Sequence, residues 1–224
     1  MEGETFVSKK TTYSSNPIAT PTYGVDGALL GTWSLDCAER FAAPPAVCLE
    51  VIRDAGSYGK WNAFCRRMSI SKQPDPIPPT LGGFDGSGGE DDQVLLHLGT
   101  EFSMDAYINF EDPAGSPRPT ALVVSVLEPI REGEGEGERI VGWRIAWRTR
   151  PTMFLPSFML HSERVQEFVD DGRGGTRYTC WETFHGVLAQ TTRVVVGKKL
   201  LRAIDRWTAD LGERALHLHS GGRS

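Results

Sequence analysis

The sequence predicts an α+β fold in which a curved antiparallel β-sheet wraps around one long C-terminal helix and leaves an internal hydrophobic cavity between them. The 224 residues include 25 glycines and 14 prolines, which is typical of a chain with many turns between short strands. Consecutive segments in the middle of the chain have the period of strands, and the last segment has the period of an amphipathic helix.

The chain divides into three predicted regions. Residues 1–30 are rich in Thr, Ser, Pro and Gly and have no hydrophobic period, which predicts a flexible or surface-wrapping arm. Residues 31–216 are predicted to form a single domain, because this length suits one core better than two. Residues 217–224 end in Ser-Gly-Gly-Arg-Ser and are expected to fray.

Within the domain, a first strand is predicted over 33–41, and Pro44 and Pro45 then open a short helix. Turn-forming and acidic stretches at 72–93, 131–138 and 170–175 separate the segments that follow. Further strands are predicted over 64–71, 94–108 (one long strand or a bent pair), 120–130, 139–148, 160–169 and 176–187.

The closing helix is predicted from about Thr192 to about Leu216. Its apolar stripe consists of Leu200, Ile204, Trp207 and Leu211, at spacings of i, i+4, i+7 and i+11. Such a stripe has to be buried, and the consecutive strands supply the sheet on which it can pack.

Composition excludes several classes of protein. No run of 18 apolar residues exists, so stable membrane insertion is not expected. The net charge of −5 argues against a nucleic-acid partner. No secretory signal starts the chain and none of the four cysteines forms a CxxC motif, so buried thiols and a cytoplasmic location are expected. No phosphate-binding or dinucleotide motif is present, and neither a cofactor nor a metal is expected.

Several local strings resemble the SRPBCC superfamily, the START-like or helix-grip group that includes polyketide cyclases. Phe41 to Pro45, continuing through Tyr58 to Asn62, is similar to the family's opening strand, first helix and following Tyr/Trp stretch. Gly174 to Gly186 is similar to its last hairpin, and 200–211 to its closing helix. The resemblance covers about residues 33–216. It implies the helix-grip fold and a largely apolar ligand, but no catalytic set, because the superfamily shares none.

Alternation along the last strand places Tyr178, Cys180, Glu182 and Phe184 on one side, which is the less charged side and is therefore predicted to face the cavity. A carboxylate there must be paired or neutral, because an unpaired buried charge is costly. Glu182 is interpreted either as a general acid or base or as a structural carboxylate paired with an arginine. Tyr178 is a further candidate for catalysis.

Histidines supply the other polar candidates. His161 and Glu163 share one face of their strand and are either a proton-moving pair or a surface pair. His161 is accordingly the second of the three predicted catalytic residues, after Glu182 and before Tyr178. His97 and His185 are expected to point outward.

Aromatic and apolar residues supply the predicted substrate contacts. Tyr58 and Trp61 are interpreted as the cavity rim or as a hydrophobic corner, and Trp143 and Trp147 as an aromatic platform or as core. The proline-interrupted apolar segment 151–160 predicts a lid or a buried β-bulge. Phe102, Phe154, Phe158, Met159 and Phe184 complete the predicted contacts.

Three functions are compatible with these patterns. The first is a cofactor-independent cyclase, dehydratase or isomerase that acts on a small hydrophobic metabolite and is polyketide cyclase-like by resemblance. The second is a non-catalytic carrier of a lipid or other hydrophobic molecule, as a monomer or homodimer. The third is a module that binds a membrane surface or partner through the basic residues of the closing helix. These residues are Arg193, Lys198, Lys199, Arg202 and Arg206.

Overall fold

The structure is a computed structural model that describes residues 6–23, 32–75, 94–112, 115–133, 137–153 and 156–221. Its centre is an eight-stranded antiparallel sheet with the strand order β1-β2-β8-β7-β6-β5-β4-β3. The strands are β1 (Lys9–Tyr13), β2 (Trp33–Phe41), β3 (Cys65–Lys72), β4 (Glu101–Ala106), β5 (Arg118–Glu132), β6 (Arg139–Thr149), β7 (His161–Asp170) and β8 (Thr176–His185).

The two predicted helices lie in the chain where the sequence predicts them, and a short third helix is added. Helix α1 (Pro45–Arg53) follows β2 and begins at a proline, and the single turn α2 (Tyr58–Trp61) follows it. Helix α3 (Ala189–Gly221) closes the chain. It extends to Gly221, into the tail for which fraying is predicted, and residues 222–224 lie outside the described residues.

The stripe of α3 packs on the concave face of the sheet as expected. Leu200, Ile204, Trp207 and Leu211 are all buried in one hydrophobic core with the inward residues of β2, β6 and β8. Pairing irregularities near Val124 and near Ile130 interrupt the long strand β5. Bulges of this kind bend a strand and increase its twist, so they help the sheet to curve around the helix.

The N-terminal arm adds an element that the sequence pattern did not predict. Strand β1 pairs with β2 at the sheet edge, and the segment after it crosses the outer face of the sheet. There Thr183 donates to the carbonyl of Ile18, and Glu163 accepts two hydrogen bonds from Thr22 at 2.8 Å each. Residues 6–23 therefore run along the edge and the outer face of the sheet.

The segment 94–108 differs most from its prediction. Within it, only Glu101–Ala106 forms a strand of the sheet, and Leu95 makes an isolated β-bridge with Asp54. Arg53 donates to the carbonyl of Leu96 at 2.9 Å. These bonds hold the stretch before β4 against the end of α1, where it cannot continue the sheet.

Candidate functional site

A cavity of about 310 Å³ lies between the first turns of α3 and the concave face of the sheet. Most of its wall is apolar, because alternate residues of the curved strands point toward the helix. The apolar lining comprises Phe64, Met104, Ala106, Ile108, Leu122, Trp147, Leu160, Phe184, Val196 and Leu200. The polar lining comprises Arg118, Thr120, Thr149, Ser162, Arg164, Glu182 and Thr192.

A buried ion pair forms the polar part of the wall. Arg164 on β7 lies directly opposite Glu182 on β8, and the side chains are 6% and 11% exposed. The Nε and Nη2 atoms of Arg164 donate to Oε2 of Glu182 at 3.0 and 2.6 Å. The hydroxyl of Ser162 donates to the second carboxylate oxygen at 2.9 Å. These contacts hold the carboxylate through both of its oxygens.

Arg164 retains hydrogen-bonding capacity beyond this pair. Its Nη1 atom is buried and has no hydrogen-bond partner among the described residues, and its guanidinium lies 5.4 Å from the ring centre of Trp207. Burial opposes the charge, but the carboxylate of Glu182 and other neighbours outweigh it and raise the pKa of Arg164 above its ordinary value. The cavity wall therefore carries a permanent cation with a donor to spare.

A second hollow of about 270 Å³ adjoins the cavity at its mouth, and we call it the vestibule. Ile108, Arg118 and Val196 line both spaces. The vestibule is the more polar of the two, with Asn109, Asp112, Ser116 and Lys199 in its wall. A molecule in the cavity would thus have its outer end next to polar side chains.

Of the three predicted catalytic residues, Glu182 lines the cavity. Tyr178 is fully buried on the same face of β8, where its hydroxyl donates to the side-chain oxygen of Gln166 at 2.9 Å. Burial raises the pKa of Tyr178 well above its usual value, so the hydroxyl stays protonated. His161 lies on the opposite face of β7 from Ser162 and Arg164, and its Nδ1 is 2.6 Å from the carbonyl oxygen of Ser157.

The predicted pair of His161 and Glu163 is not formed. Glu163 instead accepts from Thr22 and from the hydroxyl of Ser125, because the N-terminal arm covers this face. His185 lies on this outer face as well, and the arm covers it there. His185 is buried and stacks on His161 with ring centres 4.9 Å apart.

His97 is also buried rather than exposed. It lies in the tight stretch before β4, where its backbone N–H donates to the hydroxyl of Thr100 at 2.8 Å. The backbone of that stretch is held against α1, and the side chain is enclosed as a result.

Among the predicted substrate contacts, Trp147 and Phe184 line the cavity. The other buried aromatic residues lie in the core behind the wall. Tyr58 donates its hydroxyl to the carbonyl of Ile52 at 2.9 Å, Trp61 packs edge-on against Trp207, and Phe102 packs edge-on against Trp147. Trp143 is buried in the same core.

The segment 151–160 contributes one side chain, Leu160, to the cavity wall. Phe158 is exposed and Met159 is half-buried, and neither lines the cavity. Phe154 lies outside the described residues. The predicted lid or buried bulge is thus, in its described part, a loop with a turn at 157–159.

Ser162 and Arg164 were not predicted to face the cavity, although the sequence contains a pattern that indicates it. The hairpin turn at 171–175 places Asp170 opposite Thr176. Counting back along both strands from that pair places Arg164 opposite Glu182 and identifies the partner that a buried carboxylate needs. Within the described residues, no group of three His, Cys, Asp or Glu side chains could hold a metal ion.

Comparison with known proteins gives a match in fold. No family model and no curated protein matches the sequence. Among solved structures, a hypothetical protein from Helicobacter pylori is 15% identical, with a TM-score of 0.58 over 90% of this chain and 98% of its own. The aromatase/cyclase Zhui from a Streptomyces species is 14% identical, with a TM-score of 0.55 over 85% of this chain and 98% of its own.

Human STARD10 is 11% identical, with a TM-score of 0.52 over 83% of this chain and 69% of its own. These structures share the sheet-around-helix architecture with this protein. The chain therefore has the helix-grip fold that its sequence predicts, and this fold is similar to those of the START protein and the aromatase/cyclase. At these identities the similarity shows the fold, and the function has to be argued from the cavity.

Proposed function

We propose that this protein binds a small, largely apolar metabolite in the cavity, with one polar end of that metabolite directed at Arg164. The observation that supports this most directly is a mostly apolar wall interrupted by one buried polar group, the Ser162–Glu182–Arg164 cluster. Ligand sites commonly combine an apolar wall with a few convergent polar groups that set the orientation of the ligand.

The size of the cavity favours a compact ligand. Its volume of about 310 Å³ is near the lower end of the range of about 300–1,000 Å³ that is usual for small-molecule sites. A ring system or one short chain fits this space better than a lipid with two long acyl chains.

The free donor on Arg164 favours an oxygen acceptor on the ligand. A guanidinium has five N–H donors, and Glu182 accepts from its Nε and Nη2 atoms. A carbonyl, carboxylate or phenolate oxygen near Nη1 would satisfy a buried donor that otherwise lacks a partner among the described residues. A purely aliphatic ligand would leave that donor unsatisfied.

Binding can be tested with anilinonaphthalene sulfonate, whose fluorescence rises in apolar surroundings. We expect saturable binding of one probe per chain, with quenching of Trp147 in the cavity wall. Val196→Trp should fill the mouth and weaken binding about tenfold or more, equivalent to about 1.4 kcal/mol. Val195→Trp is the matched control, because Val195 is adjacent on α3 but exposed.

Equal affinity in the two tryptophan variants would place the probe outside the cavity and contradict the proposal. Native mass spectrometry of the protein from its own source is a second test and would identify the natural ligand. A retained compound with an oxygen acceptor is the expected result.

A second candidate function is isomerisation, cyclisation or dehydration of the bound molecule, and it is favoured by the position of Glu182 on the cavity wall beside Arg164. In an isomerisation, the carboxylate would take a proton from the carbon next to a carbonyl and return it at another carbon. Arg164 would stabilise the negative charge on the carbonyl oxygen in between. The carrier function needs no such step.

A β,γ-unsaturated ketone separates the two functions, because its conjugated product absorbs in the ultraviolet. If Glu182 moves the proton, Glu182→Gln should lower turnover about 100-fold or more, and Glu182→Asp should keep part of it. Circular dichroism on both variants checks that they fold. Turnover that is unchanged in a folded Glu182→Gln variant would exclude this role.

A further inference from the structure

A group of large apolar side chains is exposed around the mouth of the cavity. Five of these side chains are each at least 67% exposed. They are Val187 in the turn before α3, Val194 and Val195 on α3, and Met153 and Phe158 in the loop between β6 and β7. Single exposed apolar residues are common on proteins, but a cluster on neighbouring segments indicates a contact surface.

The helix and the loop belong to one surface. The backbone N–H of Val187 donates to the carbonyl of Phe158 at 3.2 Å, and that of Leu188 donates to the carbonyl of Met159 at 2.8 Å. On α3, Val194 and Lys198 are four residues apart and project to nearly the same side, and Val187 lies in the turn that precedes the helix. The exposed stripe lies away from the buried stripe of α3.

Positive charge is concentrated on the same part of the helix. The stretch 189–204 contains four basic residues and no acidic residue, in a chain whose net charge is −5. Lys198, Lys199 and Arg202 are exposed, and none of them makes an ion pair within the described part of the chain. Arg193 lies over the ring of Tyr13, with its guanidinium 4.6 Å from the ring centre.

This surface surrounds the opening of the cavity. Thr192 and Val196, which lie on the same turns of α3 as the exposed Val194 and Val195, line the cavity. Lys199 lines the vestibule. A hydrophobic molecule that enters or leaves by this route passes directly beside the exposed apolar and basic side chains.

We propose that this surface, the mouth patch, docks the protein peripherally on an anionic lipid bilayer. The mouth patch consists of Met153, Phe158, Val187, Val194, Val195, Lys198, Lys199 and Arg202. Apolar side chains bordered by Lys and Arg are the combination that binds the interface of anionic membranes, where the apolar groups enter the acyl boundary and the cations remain among the headgroups.

A bilayer fits this surface better than a folded acidic partner does. The apolar side chains project separately from a helix and a loop, and most of the surface of each is in water. A fluid interface can enclose such projections one by one, whereas a protein partner would need a pocket for each of them. Docking here would also place the cavity mouth against a source of apolar molecules. In the part of the chain that the structure describes, no helix has the length and apolar character of a membrane span, so the contact is peripheral.

Vesicle sedimentation tests the proposal on the full chain. We expect binding to vesicles of phosphatidylcholine mixed with phosphatidylglycerol, weaker binding at high salt, and little binding to phosphatidylcholine alone. The double variant Lys198→Gln, Lys199→Gln should bind roughly 25-fold more weakly, because each cation near an anionic surface contributes about fivefold. Val194→Ser with Val195→Ser should also weaken binding.

The matched control is the double variant Arg139→Gln, Arg173→Gln, which changes the net charge equally. These arginines lie at the opposite end of the sheet from the mouth, by the β5–β6 and β7–β8 hairpins, and their removal should leave vesicle binding unchanged. All the substituted positions are exposed, so thermal unfolding should be unaffected.

Failure to bind anionic vesicles at low salt would overturn the proposal and indicate an acidic protein partner instead. An equal loss in the control would also overturn it, since it would show binding by net charge alone.

Discussion

Arg164 and Glu182 form a charged pair that is expensive to bury and that the cavity wall nevertheless retains. Both are nearly enclosed, and Ser162 completes the bonds to the carboxylate. Buried ion pairs seldom stabilise a fold more than well-packed apolar side chains of the same volume. A gain in stability is therefore a weak explanation for a charged pair at the edge of an apolar cavity, and the proposed ligand contact supplies another.

Breaking this pair from one side should be costly. Glu182→Gln leaves the Arg164 charge buried and uncompensated, so the free energy of unfolding should fall by about 3–5 kcal/mol. The double variant Arg164→Met, Glu182→Met should recover most of the loss and still lose affinity for a ligand with an oxygen acceptor. Denaturant unfolding measures the stabilities.

The exposed pair Arg139–Glu132 provides the comparison for that measurement. Its side chains are 73% and 57% exposed, and Glu132→Gln should cost less than about 1 kcal/mol. A loss of similar size in Glu182→Gln would mean that the buried pair is solvated in solution.

The N-terminal arm packs against polar side chains on the outer face of the sheet. Tyr23 packs on His161 with ring centres 4.4 Å apart, and His161 stacks on His185. Both ring nitrogens of His185 are buried and lack hydrogen-bond partners among the described residues. The arm thus encloses the imidazole of His185, and the added N–H of its protonated form would have no hydrogen-bond acceptor among the described residues.

Stability should depend on pH through His185. Burial lowers the pKa of His185 below its ordinary value of 6.5, His161 adds to the effect, and Glu163 opposes it. The folded state therefore binds fewer protons than the unfolded state, so the stability is full above pH 6.5 and is lost as the pH falls below 6.5. His185→Phe keeps the ring and should flatten this part of the curve of unfolding free energy against pH.

His217→Gln is the control for the pH experiment, because His217 is exposed on α3 and its removal should leave the curve unchanged. If His185→Phe has the same slope as the unaltered protein, the pH dependence arises elsewhere. Proteolysis near the arm at each pH would show whether its release accompanies the loss.

The packing of the sheet around α3 stabilises the whole molecule, and Trp207 lies at the centre of that packing. Trp207 is fully buried. Its ring lies within 6.2 Å, centre to centre, of the rings of Tyr58, Trp61, Phe64 and Trp147. It therefore joins the helix to α2, to the start of β3 and to β6, behind the cavity wall.

Trp207→Ala should lower the free energy of unfolding by about 3–5 kcal/mol, since it removes a large side chain that its rigid neighbours cannot replace. Leu216→Ala, at an exposed position of the same helix, should change it by less than about 0.5 kcal/mol. Denaturant unfolding distinguishes the two. Similar losses would show that α3 contributes through helix content rather than through this contact.

Prediction from sequence succeeded where a residue's position depends on its near neighbours in the chain. The period of α3, the start of α1 at a proline and the alternation of β8 each follow from local geometry. They place Glu182 and Phe184 on the cavity side, as the structure does. The burial of His185 does not follow from alternation, because it is the N-terminal arm that covers the outer face on which His185 lies.

The sequence by itself determined the order of the strands from β2 onward and of helices α1 and α3, the inward face of β8 and the need for a partner to Glu182, because periodicity and the cost of a buried charge are local properties. The register of the β7–β8 hairpin indicates Arg164 as that partner, but only the tertiary structure decided that Tyr178 and His161 lie away from the cavity. It also showed that the valines of α3 face water beside the mouth. These facts depend on which strands are paired and on what covers each face, and both are set by contacts between residues that are distant in the chain.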